Sequence, residues 1–153
     1  MNKSPQTDRK SIKKNILIVD ANYYEVVSKN LLTGIKEDSN MANSKFDYVK
    51  VSGALEIPIA INLIFQKNYY DGVIGVGCVI KGETEHYDIV ANLSAKGLMD
   101  ISIKYNVPIT NAILTVNNYQ QALERSDPNL KNRGGHAAKA LYSLMNITHE
   151  SFI

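Results

Sequence analysis

Two uninterrupted apolar runs constrain this chain most: Asn15-Ile-Leu-Ile-Val-Asp20 and Gly72-Val-Ile-Gly-Val-Gly-Cys78. Neither alternates apolar with polar, so each must be covered on both faces, as the strands of a parallel sheet are. Parallel neighbours need crossover connections, and helical patterns stand where those connections must run. Val27, Leu31 and Ile35 give the first helix one apolar face. Ile57, Ile61 and Ile64 form a second stripe around Pro58, a residue suited to a helix's first turn. Phe46 to Val51 reads as a second strand nearer an edge, after a polar connection from Lys36 to Ser44. Val107 to Thr115 reads as a fourth, with Pro108 at its start. The expectation is an α/β fold, a three-layer αβα sandwich with a four-stranded parallel sheet flanked by helices.

The remaining helices are read from weaker patterns. One runs from the mid-eighties to about Asn106, with Ile89, Leu93 and Ile101 as its apolar positions. Ala91, Ser94, Ala95 and Gly97 interleave with them and would let another helix approach closely, in the core or from a second subunit. Asn118 caps a short helix from Tyr119 to Arg125, ahead of a turn at Ser126 to Asn129. A last helix reaches about Met145 with Ala137, Leu141 and Leu144 inward, and His136 and His149 facing solvent.

Charge is distributed unevenly along the 153 residues. Of 17 basic and 15 acidic side chains, five and one lie in the first fourteen positions, leaving 12 against 14 in the rest. Nucleic-acid binding therefore has little support. Residues Met1 to Lys14 lack apolar periodicity and are expected to form a flexible arm, with 15–153 as a single domain. The arm leads into an apolar run too short for the core of a signal peptide, and no stretch approaches the ~20 apolar residues of a membrane helix. Cys78 is the sole cysteine, so no internal disulfide and no cysteine metal cluster can form, which fits a reducing cytosol. Set in an apolar strand, it reads as a small core residue rather than a nucleophile.

Chemistry concentrates where the third strand passes into the next helix, Gly77 to Asp88. Open α/β sheets hold ligands at such strand-to-helix turns, where free backbone N–H groups and the helix dipole favour an anion. Thr84 stands where it would cap the helix, and His86 in the first turn, beside any phosphate held there. Histidine, with an unperturbed pKa of about 6.5, can give and take protons near neutrality. A lone histidine at a helix start is more often a surface residue; the Gly-x-Thr-x-His turn with a strand behind it favours a site.

Gly77-Cys-Val-Ile-Lys-Gly-Glu-Thr-Glu-His-Tyr-Asp88 resembles the signature loop of the 6,7-dimethyl-8-ribityllumazine synthases, with Lys81 in place of the common arginine. Gly53-Ala-Leu-Glu-Ile-Pro58 resembles the family's Gly-Ala-aromatic-Glu-Ile-Pro, Glu124-Arg125 its Glu-Arg, and Asn132-Arg133-Gly134 its Asn-Lys-Gly. The resemblance covers roughly Asn15 to Met145 and implies a flavodoxin-like fold. It also implies a cytoplasmic transferase that needs no metal, nucleotide or redox cofactor. Such an enzyme condenses 5-amino-6-(D-ribitylamino)uracil with 3,4-dihydroxy-2-butanone 4-phosphate, a step of riboflavin synthesis.

Carried over residue by residue, the resemblance makes His86 the catalytic proton shuttle. It gives Tyr23 the stacking role on the pyrimidine, although as a residue it would read as a half-buried loop aromatic. Ala54, Leu55 and Glu56 line the pocket for pyrimidine and ribityl chain; Glu56 alone would merely favour a helix dipole. Cys78, Val79, Ile80, Glu83 and Thr84 complete the loop side of the substrate-binding set. Arg125 binds the substrate phosphate, where its fork can grip two oxygens, and Arg133 supplies the cation of the family's lysine. Asn111 stands where many members place an aromatic reaching a neighbour's site, and by itself reads as a strand amide bonded locally.

Family members assemble as homopentamers, some as sixty-subunit shells of pentamers, with sites between subunits and riboflavin synthase as a candidate partner. Two other readings remain. Asp20 at the end of the first strand suits a phosphoreceiver-like module, but Cys78 stands where such a module needs a second acid. Asn22, Leu55 and Asn111 depart from the family's commonest residues and suit a non-catalytic flavin- or lumazine-binding shell or carrier. Thr84, His86 and Arg125 rank the enzyme ahead.

Overall fold

β1 (Lys14–Asp20) runs through the middle of the sheet, and Ile16, Leu17, Ile18 and Val19 are all fully buried. The computed structural model describes residues 13–82 and 86–149. Side chains alternate across a strand, so Ile16 and Ile18 face one helical layer while Leu17 and Val19 face the other. Each such side chain contributes roughly 1.5–3 kcal/mol on burial, which is why the run tolerates no polar interruption.

The strands are ordered β2-β1-β3-β4, all parallel, with β2 at Ser44–Lys50, β3 at Gly72–Ile80 and β4 at Ile109–Val116. α1 (Glu25–Glu37), α4 (Tyr119–Ser126) and α5 (Arg133–His149) cover one face, with Val27, Leu31, Ile35, Ala122, Ala137 and Leu141 in its core. α2 (Glu56–Phe65) and α3 (His86–Tyr105) cover the other through Ile57, Ile61, Val90 and Leu98. This is the expected three-layer α/β sandwich of flavodoxin-like topology. Because β1 leads to α1 on one face and β3 to α3 on the other, the carboxyl ends of β1 and β3 form the switch point, where a crevice opens.

Several local expectations are corrected. α3 buries Val90, Ser94 and Leu98, one position along from the anticipated stripe, while Ile89 and Leu93 are exposed and Ile101 is half-buried. The helix is apolar on two sides, and the narrower stripe packs on the sheet. Gly97 lets α2 approach, since a Cβ there would come within 2.7–2.8 Å of the Pro58 ring. In α5, Met145 rather than Leu144 points inward. Before β2, a 3-10 turn at Ser39–Met41 buries Met41, so the supposed polar connection contributes to the core. β2 begins at Ser44, β4 at Ile109, and β3 continues two residues past Cys78.

α5 meets α1 backbone to backbone. A Cβ on Gly134 would sit on the Leu31 carbonyl oxygen, an obstruction no rotamer change can relieve. Gly134→Ala is therefore expected to destabilise the fold by about 1–3 kcal/mol, read as a lower midpoint in urea unfolding with an unchanged slope.

Candidate active site

β3 outruns β1. Their register ends at Asp20 opposite Val76, and Ala21 N–H closes the ladder on the Val76 carbonyl at 2.9 Å. Beyond it, Gly77 to Ile80 pair only with β4, leaving the side of β3 towards the Tyr23 turn without a β1 partner. Cys78, Val79 and Ile80 are half-buried along this notch. Burial pushes the Cys78 thiol up to about 11, so it is a protonated packing group near neutrality rather than a nucleophile.

Three turns rim the notch. After β1, Ala21 to Tyr24 carry Tyr23, which is 74% exposed and not a half-buried packing aromatic. Its ring meets Tyr24 edge-on at 4.9 Å, and Tyr24 in turn lies 5.9 Å from Tyr119. After β2, Gly53 to Ile57 fold tightly, with Glu56 N–H bonded to the Gly53 carbonyl and Ile57 N–H to that of Ala54. Ala54 is buried, Leu55 half-buried, and Glu56 exposed as the first residue of α2. After β3, Lys81 N–H bonds the Val116 carbonyl, and His86 opens α3 with its side chain exposed. The Thr84 cap and the role of Glu83 lie outside the described residues.

The cations expected at the phosphate lie elsewhere on the chain. Arg125, next to last in α4, and Arg133, first in α5, line one open cleft of about 600 Å³ against the free edge of β4. Asn118 caps α4 through its Oδ1, which accepts from Gln121 N–H at 2.9 Å. The connection to α5 folds back on α4: Lys131 N–H bonds the Glu124 carbonyl and Asn132 N–H that of Asp127. Asn132 adopts a left-handed φ of 46° and accepts from Gly135 N–H at 3.1 Å, which starts α5 beside Arg125. His136, expected at the surface, is exposed and lines the same cleft; its i+3 spacing from Arg133 was the available signal. No carboxylate lines the cleft among the described residues, so Arg125 and Arg133 share it with no acid.

Asn111, the third residue of β4, lies opposite Gly75, and its Oδ1 accepts from Ile113 N–H at 2.7 Å. Its amide oxygen thus braces its own strand, as the local reading held, while the residue also borders the arginine cleft. Tyr23, Glu56 and His86 do not line that cleft. The expected site residues therefore form two groups, one around the β1–β3 notch and one along the edge of β4.

The doubly wound sheet defines the class: a flavodoxin-like α/β protein, a fold in which ligands bind in the crevice at the carboxyl ends of the strands. The chain belongs to the 6,7-dimethyl-8-ribityllumazine synthase family, whose sequence model matches residues 13–149. It is 48% identical over 131 residues to the 6,7-dimethyl-8-ribityllumazine synthase of Bartonella henselae, covering 84% of each chain. The enzyme of that name from Bartonella tribocorum is 47% identical over 129 residues, covering 84% of this chain and 85% of the relative. That from Zymomonas mobilis is 44% identical over 131 residues, covering 86% and 94%.

Proposed function

We infer that this protein is a 6,7-dimethyl-8-ribityllumazine synthase, joining 5-amino-6-(D-ribitylamino)uracil to 3,4-dihydroxy-2-butanone 4-phosphate. The pyrimidine amine attacks the ketone to give an imine with loss of one water, phosphate is eliminated, and the second amine closes the ring on the remaining carbonyl with loss of a second water. In this reading Tyr23 stacks on the pyrimidine, and the ribityl chain runs over the turn from Ala54 to Glu56. The unpaired side of Cys78 to Ile80 supplies backbone donors and acceptors to both, a match for a polyol and a uracil edge. By the family resemblance Glu83 and Thr84 belong to the same substrate-binding set, and His86 moves the protons that each step releases or consumes. Holding two substrates together provides much of the acceleration.

The observation that carries the reading is the separation of the two groups. A phosphate needs Arg125 and Arg133, yet their cleft lies along β4, away from the notch that suits the pyrimidine. A site shared between copies of the chain joins them: the arginine cleft of one subunit, with Asn111 at its border, completes the notch of its neighbour. The apolar surface supports such assembly, since Ile59, Leu63, Leu93, Met99 and Ile103 remain exposed on α2 and α3. A closed ring, a homopentamer in this family, satisfies every site at once. Larger shells and contact with riboflavin synthase belong to the same proposal, as does a cytoplasmic location; no helix among the described residues is long and apolar enough to cross a membrane. The test is to mix both substrates with the purified oligomer and follow lumazine fluorescence together with phosphate release. Equimolar appearance of the two above the uncatalysed rate is expected; binding of the pyrimidine without turnover would favour a carrier instead.

A further inference from the structure

One buried carboxylate takes no part in this chemistry. Asp20, the last residue of β1, is fully buried at the floor of the notch. Its Oδ1 accepts from the Ser28 hydroxyl at 3.0 Å and its Oδ2 from the Tyr48 hydroxyl at 2.7 Å. Ser28 belongs to the first turns of α1 and Tyr48 to the edge strand β2, so one side chain ties together three elements. The turn carrying Tyr23 leaves from Asp20 and ends at α1, so the same carboxylate holds it at both ends. Asn22, inside that turn, has a buried Oδ1 with no hydrogen-bond partner among the described residues, and its amide lies by the Tyr48 hydroxyl.

We propose that Asp20 is a positioning residue for the pyrimidine site, closed by the Tyr48 and Ser28 hydroxyls into a clasp that fixes the exposed ring of Tyr23. An exposed aromatic on a four-residue turn would otherwise sample many orientations, and ordering it on binding would cost affinity. A carboxylate with two hydroxyl donors suits the task, because both bonds are charge-assisted and the carboxylate itself is fully buried. The arrangement is costly: burial pushes the Asp20 carboxyl up, against the hydrogen bonds from Tyr48 and Ser28 and the charge of Lys50, which pull it down. Burial together with Asp20 raises the Tyr48 hydroxyl to about 12, so it remains a donor across the neutral range. An apolar residue would have served if packing alone were needed at the end of β1.

The clasp serves the synthase reading above, and its test separates the two. Tyr48→Phe removes one hydroxyl from a half-exposed edge-strand ring and keeps the ring itself, so folding should survive. Hydrogen exchange at the Tyr23 amide should accelerate about tenfold, the loss expected for a charge-assisted bond, with the Gly53–Ile57 turn unchanged. The KM for the pyrimidine should rise by a similar factor while kcat and the KM for the phosphorylated ketone stay within about twofold. Ser28→Ala should act in the same direction. Unchanged exchange at Tyr23, or an equal loss on both substrates with a lowered unfolding midpoint, would overturn the clasp. A wild-type protein without turnover, in which Tyr48→Phe still speeds exchange at Tyr23 alone, would remove the synthase reading and leave the clasp.

Discussion

His86→Ala is expected to lower kcat by about a hundredfold, the lower end of what general acid–base catalysis supplies, and to leave measurable turnover. In the proposed role the histidine opens α3 where β3 delivers its loop, close to the phosphate and to the amine that becomes the imine. The reaction forms an imine, expels a good leaving group and closes a ring, and each step proceeds slowly in water once the reactants meet. Removing the shuttle therefore leaves the contribution of proximity, which accounts for the residual rate. Both KM values should change little, because the side chain moves protons rather than gripping either substrate. Complete loss of turnover in a folded His86→Ala oligomer would show that the histidine does more than this account allows.

Arg125→Ala is expected to raise the KM for the phosphorylated ketone by about ten- to a hundredfold, corresponding to one charge-assisted phosphate contact of ~1.5–3 kcal/mol. The KM for the pyrimidine should remain near its wild-type value. Arg125 is half-buried near the end of α4, and the connection pinned by Asn132 brings Arg133 into the same cleft. Arg125→Lys should recover part of the loss, because charge is kept while the two-pronged grip is not. An unchanged KM for the ketone in Arg125→Ala would remove this residue from the phosphate site.

The sheet was legible because β1 and β3 are apolar without alternation, a pattern only a doubly covered strand tolerates. The apolar faces of α1 and α2 followed from their spacing. α3 was misread because Ile89 and Leu93 on one side compete with Val90 and Leu98 on the other. Periodicity finds both stripes and cannot say which faces the sheet. Leu144 and Met145 posed the same choice between adjacent residues at the end of α5. The site motifs could be found as linear strings, but not their separation into a notch and a cleft, since that depends on β4 lying at an edge with α4 and α5 against it. The Asp20 clasp was hidden further. Its three members come from β1, α1 and β2, and no local pattern links residues 20, 28 and 48.

The shared site is tested most directly by mixing two variants, His86→Ala and Arg125→Ala, dissociating and reassembling them together, and measuring lumazine formation at a ketone concentration well below the KM of Arg125→Ala. In mixed rings, some sites pair the intact notch of an Arg125→Ala chain with the intact cleft of a His86→Ala chain. Turnover well above that of either variant reassembled alone is the predicted result. Activity equal to the average of the two separate variants, in oligomers proven to be mixed, would mean that each chain completes its own site and would contradict the account.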